Sequence, residues 1–333
     1  MKKILLVNDT RMVGHHGSSA VVDVIMQQFA MRDIEVWSHL QHGIHIDNIG
    51  EHGCNAVVIN GEGAMHSGQK NSHLFSRIGQ QMRERRVPVF LINTVFDERT
   101  PEIVARMKHF TRIYCRETPS VERLLTHGVE ARLCPDLTFG LDVPEGMAWR
   151  RGEKIVVLDS TVANTNRALH KFCINSGTSF QPIRSSPALL RVTNAKNLLR
   201  IARFNLTKAL GKLLPRSYRF NRYANAVTDR REFLRRISDG TRVVVAARFH
   251  GVCFCMKLGV PFLAIPSNTA KIEGMLTDAG LSGRMLAFED LEIDVIRRRS
   301  VWSPAEEESR KRYVAGAQAN ISGMFDDLVL AMQ

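Results

Sequence analysis

Two hydrophobic textures alternate along the chain. Short β-branched runs occur at Lys3–Asn8, Ile34–Ser38, Ala56–Asn60, Pro88–Asn93, Thr111–Cys115 and Ala131–Cys134. Between them, apolar residues recur at helical spacing near residues 18–31, 71–86, 99–109 and 117–127. The short runs predict strands, and the 3.6-residue repeat predicts helices. Strand and helix in alternation predict βαβ units and a parallel sheet. Ala56-Val57-Val58-Ile59 shows no polar alternation, as a strand covered on both faces requires.

Gly140, Pro144, Gly146 and Gly152 then interrupt the pattern and predict a linker over 141–153. A second series follows. Its strands are expected at Lys154–Asp159, Thr178–Ile183, Thr241–Ala246 and Pro261–Ile265. Its helices are expected near 162–175, 194–214, 229–238, 250–258, 268–279 and 303–331. A length of 333 residues fits about two domains. The reading is α/β, with one Rossmann-like domain over 1–140 and another over 154–333. Their parallel sheets are expected to face a cleft, because open α/β sheets bind ligands at the carboxyl ends of their strands.

Composition changes this picture in one place. The chain is 44% hydrophobic and 24% charged, which excludes wholesale disorder. The apolar stretch after Met1-Lys2-Lys3 is only Ile4 to Val7, too short for a signal-peptide core. No apolar run approaches a membrane span. A cytoplasmic protein is expected. The six cysteines form no C-x-x-C pair and read as reduced and structural, with no metal site. The net charge of +13, however, is concentrated. Residues 184–236 hold fourteen Lys/Arg against Asp229 and Glu232, which is +12 of that total. A basic insertion in a nearly neutral body predicts a local anionic partner.

Four segments carry candidate chemistry. The first, Gly14-His15-His16-Gly17-Ser18-Ser19, lies between the first strand and the first helix. It offers free N–H groups to an anion, or is an ordinary capped turn. The second, Asn60-Gly61-Glu62-Gly63-Ala64-Met65-His66, is expected to be a loop at a strand end. Its Glu62 and His66 can take a proton from a hydroxyl, and Asn60 and Gly61, with Asp136 of the third segment, stand where an acceptor would bind. The third places Arg116 at a strand end before Pro119, with Asp136 further on. Arg116 either holds a carboxylate or phosphate, or pairs with Asp136. The fourth is the most specific. It carries Arg248-Phe249-His250-Gly251, then Gly259-Val260-Pro261, then Ser267-Asn268-Thr269-Ala270-Lys271. His250 would open a helix, where the dipole favours a neutral imidazole. Ser267, Asn268 and Lys271 would open another, with donors and a cation for an oxyanion.

The fourth segment resembles the signature of the polysaccharide pyruvyltransferase family, an R-[FLY]-H-[AG] turn followed by a G-V-P strand and a Lys-containing helix. The third is similar to that family's R-[DE]-x-x-S segment ending in P-D, and the second to its Gly-rich loop. The resemblance implies a GT-B-like fold and an enzyme that transfers a pyruvyl group from phosphoenolpyruvate to sugar hydroxyls of a polysaccharide or lipid-linked oligosaccharide, forming a ketal and releasing phosphate. It implies donor-site roles for Arg116 and His250. The first loop departs from the family's usual Gly-Asp pair.

A donor with a carboxylate and a phosphate needs clustered cations, for which Arg116, Arg248 and Lys271 are the candidates. His250 is assigned one proton transfer, and Glu62 or His66 the other. No step needs a cofactor or a metal. Two other readings stay open. One is a GT-B glycosyltransferase using a nucleotide sugar, with Glu273 reading the nucleotide. The other is nucleic-acid binding through 184–236, whose Phe204, Tyr218, Phe220 and Tyr223 could stack on bases. Within this insertion, Leu198, Leu199, Leu206 and Leu213 run at helical spacing, with Arg200, Arg203, Lys208 and Lys212 between them. Such a helix is expected to contact an anionic membrane rather than the core, with those four cations at the headgroups.

Overall fold

The computed structural model describes residues 2–40, 53–66, 69–144, 146–187 and 195–332. The part of the basic insertion over 188–194 and the side chain of Phe220 therefore lie outside the described residues. The chain divides into two compact units. The first comprises Met1–Met12, Ala20–Leu141 and Ala315–Gln333; the second comprises Val13–Ser19 and Asp142–Val314.

The first unit is built on a six-stranded sheet. Its strands are β1 (Lys2–Asp9), β2 (Ile34–Leu40), β3 (Ala56–His66), β4 (Val89–Asp97), β5 (Arg112–Cys115) and β6 (Arg132–Leu133). They lie in the order β2-β1-β3-β4-β5-β6, and every neighbouring pair is parallel. Helices α1 (His16–Ala30), α2 (Lys70–Glu84), α3 (Pro101–Arg106) and α4 (Thr118–Thr126) supply the crossovers. Leu5, Val57, Ile59 and Leu91 of the sheet are buried with Phe75, Ile78 and Met82 of α2 and Leu124 of α4. Ile4, Leu6, Val58 and Phe90, which alternate with them and point to the opposite face, are buried as well, which is why these strands read as continuous hydrophobic runs.

The second unit has a four-stranded parallel sheet in the order β10-β9-β7-β8. Its strands are β7 (Arg150–Leu158), β8 (Ser179–Gln181), β9 (Asp239–Ala246) and β10 (Phe262–Ala264). The helices of the second half are α5 (Ala163–Ser176), α6 (Ala195–Leu213), α7 (Tyr218–Asn221), α8 (Arg230–Ser238), α9 (Phe249–Leu258), α10 (Lys271–Asp278), α11 (Ile293–Arg298) and α12 (Pro304–Leu330). Every residue of α9 except Lys257 is buried, so the helix that begins at the Arg-Phe-His-Gly turn is held on all sides. Parallel order brings the carboxyl ends of all strands in each sheet to one edge, where the polar loops collect.

Two expectations change. The linker is shorter than 141–153, because β7 starts at Arg150 and pairs there with Asp239. The loop expected after Asn60 is instead the second half of β3, which continues to His66 beside Asp97 of β4. The ladder absorbs the glycines through a register shift between Glu62 and Met65.

Candidate active site

At the carboxyl edge of the first sheet, three neighbouring strands carry buried amides at one level. Asn8 Nδ2 donates to the Asn60 carbonyl at 2.6 Å, and Asn93 Nδ2 donates to Asn60 Oδ1 at 3.3 Å. Thr10 Oγ1 donates to Glu62 Oε1 at 2.6 Å. Asn8, Glu62 and Asn93 all have left-handed backbone, with φ of 68°, 41° and 53°. That conformation is tolerable for Asn and costly for Glu, and strained residues of this kind cluster at functional edges. Gly61 is glycine for a simpler reason. A Cβ there would lie 2.5 Å from Thr94 Oγ1.

Asn60 is thus a buried strut, and Glu62 is the more accessible carboxylate of this edge. His66 stands four positions further along β3, at its last residue. Arg116 follows β5 and is only 2% exposed. Its Nη1 donates to Asp136 Oδ2 at 2.9 Å, while Asp136 Oδ1 accepts from the Thr138 N–H and hydroxyl. Of the two roles that the sequence left open for Arg116, the geometry is that of the ion pair. A guanidinium buried on Asp136 ties the loops after β5 and β6 together, and the same pairing occupies Asp136.

The second sheet presents a different set. Arg248 precedes α9, and its Nη2 donates to Asp159 Oδ2 at 2.6 Å. Asp159 follows β7 and also accepts from the Ile183 N–H at 2.8 Å. The Arg248 Nε is buried with no hydrogen-bond partner. His250, 9% exposed in the first turn of α9, faces the His15 ring with centroids 5.4 Å apart. Gly17 lets that loop approach, since a Cβ there would lie 2.2 Å from the His250 ring. After β10, Ser267 Oγ and Lys271 Nζ both donate to Asn268 Oδ1, at 3.2 and 3.0 Å. Ser267 also lies 3.4 Å from Thr161, which follows β7. Arg248 and His250 therefore share one edge with Ser267, Asn268 and Lys271, whereas Glu62 and His66 belong to the other unit.

His15 and Asp159 are the residues that the sequence reading did not select. The His15 Nδ1 accepts from the Gly17 and Ser18 N–H groups, which leaves its proton on Nε2. Burial, with His250, Arg248, His16 and Arg184 around it, holds His15 well below the usual imidazole range. His16 stacks on Phe233 at 4.7 Å, and its Nε2 donates to the Val227 carbonyl at 3.0 Å. Burial lowers it to about 4.

Both rings are neutral when folded and gain a proton near the ordinary value of 6.5 once unfolded. Stability is therefore full above about 6.5 and is expected to decline as the pH falls from there toward about 4. Urea midpoints between pH 7 and 4, with His16→Phe as the control that flattens part of the slope, check this. An unchanged profile in the variant would contradict it.

The family model for polysaccharide pyruvyl transferase matches residues 25–269 of this chain. The chain belongs to that family. The family match makes the protein a transferase, of the class that moves pyruvyl groups to polysaccharides. The matched span contains β3, the Arg116 segment and the whole edge from Asp159 to Thr269. Among solved structures, MurG from Acinetobacter baumannii is similar at 9% identity, covering 98% of this chain and 99% of that one with a TM-score of 0.50. The likeness is one of fold, α/β with two parallel sheets and GT-B-like. A UDP-GlcNAc 2-epimerase from Methanocaldococcus jannaschii gives 11% identity, 96% and 100% coverage and a TM-score of 0.49. A functionally uncharacterized protein from Klebsiella pneumoniae gives 10% identity, 86% and 93% coverage and a TM-score of 0.48. No curated protein matches the chain.

Proposed function

We propose that this transferase takes its pyruvyl group from phosphoenolpyruvate and forms a ketal on two hydroxyls of one acceptor sugar. The observation that carries this is the edge of the second sheet. There, an arginine with a buried, unpartnered Nε stands at the start of α9 beside the His15–His250 pair. A buried donor without an acceptor is rare in a folded protein, and an anionic ligand is one group that would satisfy it. Lys271, with Ser267 and Asn268 beside it, offers a second anion contact.

In this reading the first sugar hydroxyl adds to the enol carbon while a proton is delivered to the methylene, which becomes the methyl group. The phosphate then leaves, and the second hydroxyl closes the ketal. Each hydroxyl gives up a proton. His250 is the candidate for one proton transfer, and Glu62 or His66 for the other. Asn60 and Gly61 shape the acceptor edge from beneath. Arg248→Ala is expected to weaken phosphoenolpyruvate binding by about 10–100-fold, the value of one charge-assisted contact of ~1.5–3 kcal/mol. Calorimetric titration measures it. Unchanged affinity would move the donor elsewhere, and phosphate release on adding phosphoenolpyruvate and acceptor tests the reaction itself.

A second element of the proposal concerns α6. Leu198 and Leu199 are 71% exposed and Leu213 is 77% exposed, with Leu206 and Leu214 also open to solvent. Of the described residues in α6, only Asn197, Phe204 and Gly211 are buried. Leu199, Ala202, Leu206 and Leu213 form one stripe, flanked by Arg200 and Arg203 on one side and Lys212 on the other. Lys208 departs from its expected place. It turns inward to donate to the Ala226 carbonyl, and burial lowers its pKa. No described helix is long and apolar enough to cross a membrane. The stripe instead suits the surface of an anionic leaflet, where each Lys or Arg adds ~1 kcal/mol. Co-sedimentation with anionic liposomes at low salt, lost at high salt, is the expected result. Equal, weak binding to neutral and anionic vesicles would remove the membrane role.

A further inference from the structure

The two adjacent histidines of the first loop do different work. His16 is buried, stacked on Phe233 and bonded to the Val227 carbonyl. His15 is half-buried and faces His250. Its backbone is pinned within the second unit. The Ser185 N–H donates to the Gly14 carbonyl at 2.9 Å and the His16 N–H to the Ile183 carbonyl at 3.3 Å, so that His15 pairs with Arg184 in an antiparallel bridge. Its ring is pinned as well, because His15 caps α1. The Nδ1 accepts from the Gly17 and Ser18 N–H groups at 3.1 and 3.3 Å, and the His15 carbonyl accepts from the Ser19 N–H at 3.0 Å. Two of the amides that could have met an anion are thus spent on this imidazole.

A neutral imidazole whose Nδ1 accepts carries its hydrogen on Nε2, and that end of the ring is then a donor only. Among the described residues, none accepts a hydrogen bond from His15 Nε2. The field of the first turn of α1 reaches the ring through Nδ1, which strengthens the Nε2–H donor and opposes protonation. The charged and titratable groups acting on the ring are His250 and Arg248 at the α9 turn, Arg184 across the bridge and the neighbouring His16, and each of them also opposes a positive charge. Ketal formation needs such a group. Of the two protons that the sugar hydroxyls lose, one ends in the new methyl group and the other on the released phosphate. The ester C–O bond breaks with its electron pair on the phosphate, while a hydroxyl oxygen forms the new C–O bond. We propose that His15 is a catalytic residue of this step, its Nε2–H hydrogen-bonding the departing phosphate without transferring a proton. Giving up that hydrogen would leave an imidazolate, so the ring serves the developing charge only as a fixed dipole. The inference rests on the proposed phosphoenolpyruvate reaction for the identity of the anion, and on the geometry of His15 alone for the donor.

Two variants separate the cap from the donor. His15→Asn keeps an amide oxygen for the Gly17 and Ser18 N–H groups but is too short to carry a donor to the Nε2 position. It is expected to lower kcat by about 10²–10³-fold, the usual loss for one oxyanion donor, with little change in phosphoenolpyruvate affinity. His15→Gln, whose longer amide reaches the Nε2 position, is expected to be the faster of the two. Wild-type kcat in His15→Asn, whatever its urea midpoint, overturns the role. So does the reverse order, in which the cap rather than the donor sets the rate. Nitrogen-15 spectra of the full chain with labelled histidine, with His15 assigned by its absence from His15→Asn, read the ring directly. A protonated Nε2 and a bare Nδ1 are expected from about pH 8 to 6, with the Nε2 signal moving when inorganic phosphate is added. The opposite tautomer, or a ring that titrates in this range, overturns the inference. Calorimetry with phosphoenolpyruvate keeps the two readings apart. If it fails to bind while inorganic phosphate still moves the His15 signal, the donor assignment falls and His15 stands as an anion donor. If it binds through Arg248 and the His15 signal is unmoved by either compound, the inference falls and the donor assignment stands.

Discussion

His250→Ala is expected to lower turnover by about 10²–10⁴-fold, the usual contribution of a positioned acid or base. The ring is fixed by its surroundings rather than by its own flexibility. It begins a buried helix, it faces His15, and the Gly17 loop presses against it. A merely structural histidine in this place would fill space, and its loss would appear as a lower unfolding midpoint with kcat retained. A proton carrier shows the opposite, with kcat falling while phosphoenolpyruvate affinity changes little. Steady-state kinetics with a denaturation curve on the same preparation distinguish the two. His250→Gln, which keeps the volume and a hydrogen-bonding group, should fold normally and remain slow. Near-normal turnover in either variant would end the assignment.

The second large effect concerns stability. Arg116→Ala is expected to destabilise the protein by about 3–5 kcal/mol, because it removes the guanidinium that pairs with the buried Asp136 carboxylate. Arg116 and Asp136 are 2% and 0% exposed, so water cannot replace the lost partner cheaply. The Thr138 N–H and hydroxyl still hold the other carboxylate oxygen, which limits the loss. Urea unfolding measures the change. A shift below about 1 kcal/mol would mean that the pair behaves like an exposed one and would reopen a ligand-binding role for Arg116.

The fold was legible because parallel α/β architecture writes itself as alternation. All ten strands lie where β-branched runs predicted them, and the helices through α12 follow the 3.6-residue repeat. Their ends were less legible. β3 and β4 run on past Asn60 and Asn93, because left-handed backbone at Glu62 and Asn93 and the register shifts keep the ladder going through residues that look like loop. The short α7 and α11 carry too few turns to show a repeat. At the site, the Arg248 and His250 turn was legible as local sequence, as was the Ser267-Asn268-Lys271 loop. His15 was not, since its partner His250 is 235 positions away in the sequence and no local pattern reports such a contact. Asp159 went unselected because a lone acid at a strand end has no signature until its arginine is in place. Lys208 misled for the converse reason. A lysine among leucines looks like a surface cation, and only the Ala226 carbonyl shows why it turns inward.

The first unit takes its last piece from residues 315–333, where Asp327 gathers Arg112, Tyr114 and Arg132 from β5 and β6 and Phe325 packs edge-on against Phe29 at 4.9 Å. On the ribosome this order matters. The strands of the first unit emerge early, yet the helix that satisfies their last cations is made only after the whole of the second unit. At ~5–20 residues per second, the stretch from Leu141 to Ala315 is a wait of roughly 10–35 s. Through that interval the Phe29 side of the sheet is uncovered, and the nascent chain is the form of this protein most in need of a chaperone.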